Sequence, residues 1–533
     1  MIAMSSAKGI KGLFAAGIII CLLQIWLPEY YVTGDGPCHV YNARILHDLW
    51  SGKDVDFYLR YLEFVKSPNP NWLCHIILAA LMYVVNGVVA EKILLSIYVL
   101  LFCSGSYLLL RRLTGERSYW PLVLFIFVFH HPLAKGFYNF TFSIAIFFFV
   151  VLWWIRYLEE GRLARLPLFF LFTVLCFFTH PLAYAIAGMV CFFLVWSFAF
   201  TSVSAGRYKY ILRQTSILVL CLIPSLLLFL KFTAGSNSGF EFDFATEKIQ
   251  WILFFTHIVT MLQAEAFFAG CVGITCLVLL IIALVFAVKQ KQFIHKYDGF
   301  LYTLFVVSAM YLSFPDSMLS GGLVLMRLAL FIFILICCIL AYRVPKPSLR
   351  SVGTVIILFS FIGLSVIRIR GMVVAGRATA DYMGASRFIK PYSVVFPLYF
   401  SKNGLDERGR KIGDRNWLFT HHAGYIGVEK PAMLLDNYEA NTGYFPFIWT
   451  GRAKVNPYHF LGKEPGMDAD PPYAEIANYT QNGGPVVDYV LFWCFNPKLL
   501  RYERFSKLYA EINALYRPVY TSPTGRTILY ERK

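Results

Sequence analysis

Apolar runs of about twenty residues recur from residue 11 to residue 367, and that recurrence constrains the fold more than any other feature. A helix needs about 20 mostly apolar residues to cross a bilayer. Candidate runs lie at 11–27, 73–89, 92–110, 119–134, 139–155, 166–179, 182–200, 212–230, 267–288, 299–314, 323–342 and 351–367. Only 15% of the 533 residues are charged and 58% are hydrophobic, whereas a soluble domain carries about a quarter charged residues. The formal charge of +17 is spread over short loops between the runs. It therefore reads as a topology signal, and nucleic acid is not an expected partner. The twelve cysteines form no CxxC pair and mostly lie inside apolar runs, where they act as small hydrophobes.

Basic clusters follow every second run: Arg111-Arg112 with Arg117, Arg156 to Arg165, Arg207 to Arg213, Lys289 to Lys296, and Arg343 to Arg350. Positive loops face the cytoplasm, and Lys8 and Lys11 belong with them. The pattern closes if 71–89 is a juxtamembrane helix that does not cross. About eleven spans result, with a cytoplasmic N-terminus retained as an anchor and an extracytoplasmic C-terminus. A true twelfth span with the opposite orientation is the competing count. In the eleven-span arrangement the outer loops are 28–70, 130–139, 179–181, 232–266 and 314–322.

Beyond Arg368 charge, Gly, Pro and Tyr rise and no spanning run remains. Residues 1–370 thus read as a transmembrane module in a multi-pass cell membrane protein, and 371–533 as an extracytoplasmic α/β domain. Ala378–Ile389 is helix-like; Ser393–Phe400, Val486–Trp493 and Thr527–Arg532 read as strands, and Tyr502–Tyr516 as a helix.

The first outer loop contains Tyr31–Trp50, YVTGDGPCHVYNARILHDLW. Gly34 and Gly36 let the backbone turn tightly around Asp35, and Pro37 suits a first helical turn. Asp35 fits a general base that takes a proton from an acceptor hydroxyl, or a cap for the helix that follows. His39, Asn42 and Arg44 share that helix as substrate-orienting candidates; interfacial polarity, and for Arg44 snorkelling, is the plainer reading. Arg327 sits inside the apolar run GGLVLMRLALFIF, where a charge is costly and wants a partner. That partner is a lipid phosphate, Asp316, or water reached by snorkelling. In HHPLAKGFYNF, Lys135 is a second phosphate candidate, and His131, Tyr138 and Asn139 are orienting candidates, as is His180 on the next outer loop. Paired histidines raise the metal question, but no recognised ligand spacing is present. No cofactor is called for, although a divalent metal is not ruled out. His421–Tyr425 and Asp436–Ala440 also stand out; loop residues of a packed domain are their plainer reading.

The inside N-terminus, the single span before a large outer loop with an acidic motif, the juxtamembrane segment and the outer α/β domain together resemble the GT-C superfamily of polyprenyl-phosphate-sugar glycosyltransferases. The Arg-Arg-Leu-Thr-Gly inner loop after the next span adds to the likeness. The resemblance implies a catalytic Asp in the first outer loop, here Asp35. It also implies a lipid-phosphate-binding arginine at the outer start of a late helix, here Arg327. SPNPNWL departs from the Pro-Pro-Leu motif of some branches, and HHPLAKGFYNF lacks the second acidic motif of metal-dependent relatives. The implied reaction moves a sugar from a polyprenyl-phosphate donor to a lipid, glycan or protein acceptor. Its rivals are a lipid-linked saccharide transporter or flippase, and a non-catalytic scaffold whose outer domain binds a partner.

Overall fold

A computed structural model describes residues 7–533 except 68, 116–117, 204, 235–241, 245, 318–320, 345, 452–455 and 462–465. Pro68, Arg117 and the centre of the 232–266 loop, which the sequence places on the two membrane faces, lie outside the described residues.

The protein is a polytopic helical membrane protein. Among the described residues, eight helices are long and apolar enough to cross a bilayer: Lys8–Trp26, Gly87–Thr114, Tyr138–Glu160, Pro181–Ser202, Arg207–Phe232, Glu265–Lys289, Val324–Arg343 and Pro347–Phe388. Shorter apolar stretches occupy Trp120–Ala134, Leu163–Thr179 and Gly299–Ser313. Local chemistry sets several boundaries. The Asn86 side chain accepts from the Val89 N–H to start the helix Gly87–Thr114; Gly115 closes that helix and Gly161 closes Tyr138–Glu160, both at positive φ, as helix C-termini favour.

Three expectations are corrected in detail. The run 73–89 contains a nine-residue helix, Leu73–Leu81, and the next helix starts only at Gly87. Nine residues rise about 14 Å, well short of a hydrocarbon core of about 30 Å. The run 119–134 is not one helix but a 3-10 stretch, Trp120–Phe127, followed by a short helix, His131–Ala134. Residues 120–134 are all buried, so the irregular backbone is surrounded by protein, which is the setting that permits it at membrane depth. The Trp120 indole, for example, donates to the Cys337 carbonyl at 3.0 Å. The junction placed at 370/371 falls inside a single helix, Pro347–Met383, because nothing in RIRGMVVAGRATA breaks helical geometry.

The basic clusters gather at one end of the bundle. Glu159 accepts from Lys296 Nζ at 2.8 Å and Tyr297 Oη at 2.6 Å and also pairs with Arg112. Arg343 pairs with Asp298.

At the other end, helix Pro347–Met383 leads into a five-stranded sheet. Its order is Ala432–Leu434, Ser393–Tyr399, Tyr489–Trp493, Thr527–Arg532, Tyr516–Thr521. The first three strands run parallel and the remaining pairings are antiparallel. Ser393–Tyr399 is buried along its whole length, as a near-continuous apolar run in a parallel sheet should be. The helix Glu503–Leu515 packs with Phe505, Leu508 and Ile512 inward. Strands 432–434 and 516–521, and a two-stranded ribbon of Leu62–Phe64 with Phe447–Trp449, are not marked by any run in the sequence. They are short or edge strands whose pairing supplies the order that their composition does not.

Candidate functional site

The helix Gly36–Trp50 packs between the membrane helices and the sheet. The turn before it is locked to the 130–139 segment by two backbone bonds, Gly34 N–H to the Ala134 carbonyl and Asp35 N–H to the Lys135 carbonyl, at 3.1 and 2.7 Å. Gly136 allows this approach: its φ is +94°, and a Cβ there would press on the Gly36 and Asp35 backbone nitrogens. Asp35 occupies the N-cap position of the helix, yet its side chain makes no capping hydrogen bond. The carboxylate instead looks into a cavity of about 440 Å³.

That cavity has a polar and an apolar side. Asp35, His39, Asn71, Asn139, His180 and Arg327 line it together with Leu182, Phe229, Phe232, Met310 and Phe314. Arg327 is only 9% exposed and its guanidinium lies 4.5 Å from the Phe137 ring and 5.4 Å from that of Phe140. Among the described residues it has no ion pair, and its Nε has no hydrogen-bond partner. Asp316 is otherwise engaged, accepting from the Leu325 N–H at 3.0 Å and capping the Arg327 helix. Arg327 thus makes no direct pair with Asp316 among the described residues, and its guanidinium lies against two aromatic rings on the cavity wall.

The other sequence candidates separate. His39 and Asn139 reach the cavity, but both Asn139 amide atoms are used, accepting from Cys74 N–H and donating to the Asn71 carbonyl. His180 lines the cavity while its Nδ1 accepts from Leu182 N–H to cap a helix. Asn42 exchanges side-chain bonds with Asn437 at 3.0 and 2.9 Å, away from the cavity. Arg44 turns to Asp48 and the Val428 carbonyl. His131 is tied to the Val259 carbonyl, and Tyr138 donates to Glu91 at 2.6 Å, behind the Asp35 turn. Asn42, Arg44, His131 and Tyr138 are conspicuous in the sequence because they are polar near a membrane; each is instead satisfied by a partner inside the protein. Lys135 lies outside the cavity, its ammonium 5.0 Å from the Trp417 ring. The paired phosphate grip expected of Lys135 and Arg327 is therefore not assembled.

The sheet supplies what the first loop lacks. Ligand sites in open α/β sheets lie beyond the carboxyl ends of parallel strands, and Asp436 and Glu439 follow Ala432–Leu434 directly. His421 Nε2 stands 3.8 Å from Asp35 Oδ1, and its Nδ1 stands 3.5 Å from Asp436 Oδ2. Asp436 also accepts from Tyr399 Oη at 3.0 Å, and His421 stacks near Tyr438, 4.8 Å between centroids. Burial raises the Asp35 pKa above the usual carboxylate value, opposed in part by His421, His39 and Lys135. Burial works against a charged His421, but the carboxylates of Asp436, Asp35 and Asp468 together outweigh it and the imidazole pKa is raised.

One turn along, His39 Nδ1 and His75 Nε2 both face Glu439. His75 Nε2 is 2.9 Å from Oε2, His39 pairs with Oε1, and the two ring nitrogens are 3.3 Å apart. All three residues are buried. Burial opposes ionisation of Glu439, but His39 and His75 hold it down at about 2.

The packed-loop role expected of His421–Tyr425 and Asp436–Ala440 is thus only half of what these segments do, since His421, Asp436 and Glu439 also reach the first outer loop. Their clustering of polar and aromatic residues is the one hint of this in the sequence. Nothing marks His75, a lone histidine in the apolar helix LCHIILAAL. No protein-family model matches this chain, and no curated protein matches it.

Proposed function

We propose that the chain is a GT-C-type membrane glycosyltransferase that moves a sugar from a polyprenyl-phosphate donor to a lipid, glycan or protein hydroxyl. The observation that carries this reading is one cavity holding an uncapped carboxylate, a buried arginine with no ion pair among the described residues, and an apolar wall. An amphipathic phospholipid-like donor matches these features. The prenyl chain lies along Leu182, Phe229, Phe232 and Met310, and the phosphate meets Arg327. Asp35 takes the proton of the acceptor hydroxyl as that oxygen attacks the anomeric carbon. The bond from that carbon to the phosphate oxygen breaks, and Arg327 stabilises the charge left on the phosphate. Its guanidinium needs no reorganisation to do so, because Phe137 and Phe140 already hold it. Burial keeps Asp35 basic enough to accept a proton, and His421, steadied by Asp436, balances its charge.

The basic clusters sit at the end of the bundle away from this cavity, which supports a cytoplasmic N-terminus and an extracytoplasmic site and sheet in a cell membrane. Transport has one observation in its favour, the interrupted segment 120–134, but that segment is buried throughout.

The test is Asp35→Asn in the full chain, reconstituted in nanodiscs and assayed with a panel of radiolabelled polyprenyl-phosphate sugars. Loss of general base catalysis costs about 10²–10⁴-fold in rate with unchanged elution and melting. Transfer by the variant at the wild-type rate would sink the proposal.

A further inference from the structure

The cluster of His39, His75 and Glu439 is not needed for the reaction proposed above, and its three ligand-type side chains converge in the interior. Each imidazole can bond to Glu439 only by donating through the nitrogen that faces it. With both facing nitrogens unprotonated, two lone pairs and a carboxylate converge on one point, the nitrogens 3.3 Å apart. A cation accepts all of them at once.

The spacing suits a particular class of ion. Zinc binds imidazole nitrogen at about 2.0–2.1 Å and carboxylate oxygen at about 2.0–2.2 Å with tetrahedral geometry. Two tetrahedral ligands at that radius stand about 3.3 Å apart, by the geometry of those bond lengths. The nitrogen pair is at 3.3 Å; the contacts of His75 and His39 with Glu439 are closer, that of His75 Nε2 being 2.9 Å, and an ion between them would open them by a few tenths of an ångström or more. All ligand atoms fall within 4.8 Å of one another. The donor set is two neutral imidazoles and one carboxylate, which favours zinc over the all-oxygen shells of calcium or magnesium. The His39 ring also meets the Gly136 backbone carbonyl, the outer contact that fixes the orientation of a ligating histidine.

We infer that His39, His75 and Glu439 form a zinc-class divalent cation site on the wall of the cavity. The ion ties together helix Gly36–Trp50, helix Leu73–Leu81 and the turn after strand Ala432–Leu434, three segments far apart in the chain. His39 is one helical turn from Asp35, whose carbonyl accepts the His39 N–H at 3.2 Å. The ion therefore positions the Asp35 turn from behind and does not itself need to touch a donor. The site goes beyond the transferase reading and stands or falls separately from it.

The experiment measures zinc on the full-length protein purified in detergent without chelator. One zinc per chain by plasma mass spectrometry is expected, together with a melting temperature that falls by several degrees on chelation and returns with added Zn²⁺ alone. X-ray absorption at the zinc edge should show two imidazole nitrogens among the atoms bound to the ion. His75→Asn and Glu439→Gln should each lower zinc content at least tenfold, whereas His47→Gln, on the same helix as His39, should keep it. Less than a tenth of an equivalent with no melting response to Zn²⁺ overturns the site. So does full zinc content in either variant, or an absorption spectrum without imidazole ligands; the last result decides the matter on the wild-type protein even if a variant fails to fold.

Discussion

His421 Nε2 stands 3.8 Å from Asp35 Oδ1, although one residue belongs to a turn beside the sheet and the other to the first interhelical loop. The pair joins the candidate base to a charge that the first loop does not carry. Asp35 keeps 19% of its side-chain surface exposed and His421 keeps 13%, so neither is sealed in the core, and Asp35 lines the cavity.

His421 holds the Asp35 pKa down against the larger effect of burial. Removing that positive charge in His421→Gln should raise the Asp35 pKa further. The base is active as the carboxylate, so its activity is lost as pH falls through that pKa. The acid limb of the rate profile should therefore move to higher pH. Asp436→Asn should act in the same direction, since Asp436 is the foremost of the carboxylates that raise the His421 pKa. Coincident acid limbs in wild type and both variants would remove His421 from this role.

Arg327 is a buried cation with aromatic neighbours and no ion pair among the described residues. Burying a charge without a partner is unfavourable, so Arg327→Met should leave the melting temperature unchanged or raise it. Phosphate binding, in contrast, should weaken by about 2–3 kcal/mol, the loss of a charge-assisted contact. Donor titration should show this as a higher KM, and Arg327→Lys should recover only part of it because the planar fork is lost.

Gly136 meets the Asp35 turn at a φ of +94°. Gly136→Ala places a methyl group against the Gly36 and Asp35 nitrogens and costs about 1–2 kcal/mol in backbone strain alone. It should both lower stability and suppress transfer. Gly52 also has positive φ, but a methyl group there would meet nothing within 4 Å; Gly52→Asn, which tolerates that conformation, should keep both.

Glu265 and Arg368 form a buried pair at 2.9 Å, and Glu265 also accepts from the backbone N–H groups of Thr260, Met261 and Leu262. Breaking one partner of a buried pair costs about 3–5 kcal/mol. Arg368→Met should destabilise the fold on that scale, measured as a drop in melting temperature. Replacing both partners together with Glu265→Gln and Arg368→Met should cost less than the sum of the single changes.

His422 is buried with its Nε2 3.0 Å from Thr379 Oγ1, and burial, with His421 beside it, pulls its pKa down to about 3. The unfolded imidazole protonates near pH 6.5, so the unfolded chain binds the proton first. Stability should fall as pH drops from about 6.5 towards 3, by about 1.4 kcal/mol per unit from this residue. His422→Phe should flatten that slope in melting curves taken across the range.

Sequence composition by itself determined that this is a polytopic helical membrane protein, because spanning length is a property of one contiguous apolar run and needs no partner. It located Ser393–Phe400, Val486–Trp493 and Thr527–Arg532, where apolar runs and turn residues agree with the sheet. It also singled out Asp35 and Arg327, since a charge next to or inside an apolar run is conspicuous before any folding. Tertiary structure decided the rest. Whether a polar side chain serves the cavity or a buried neighbour depends on its facing residue, and Asn42, Arg44, His131 and Tyr138 each found one elsewhere. Whether 119–134 stays helical depends on the protein packed around it. The convergence of His421 and Asp436 on Asp35, and of His75 and Glu439 on His39, follows from parallel strand pairing and helix packing between distant segments. Such pairing is chosen by the burial of whole faces, a quantity that no local stretch of sequence contains.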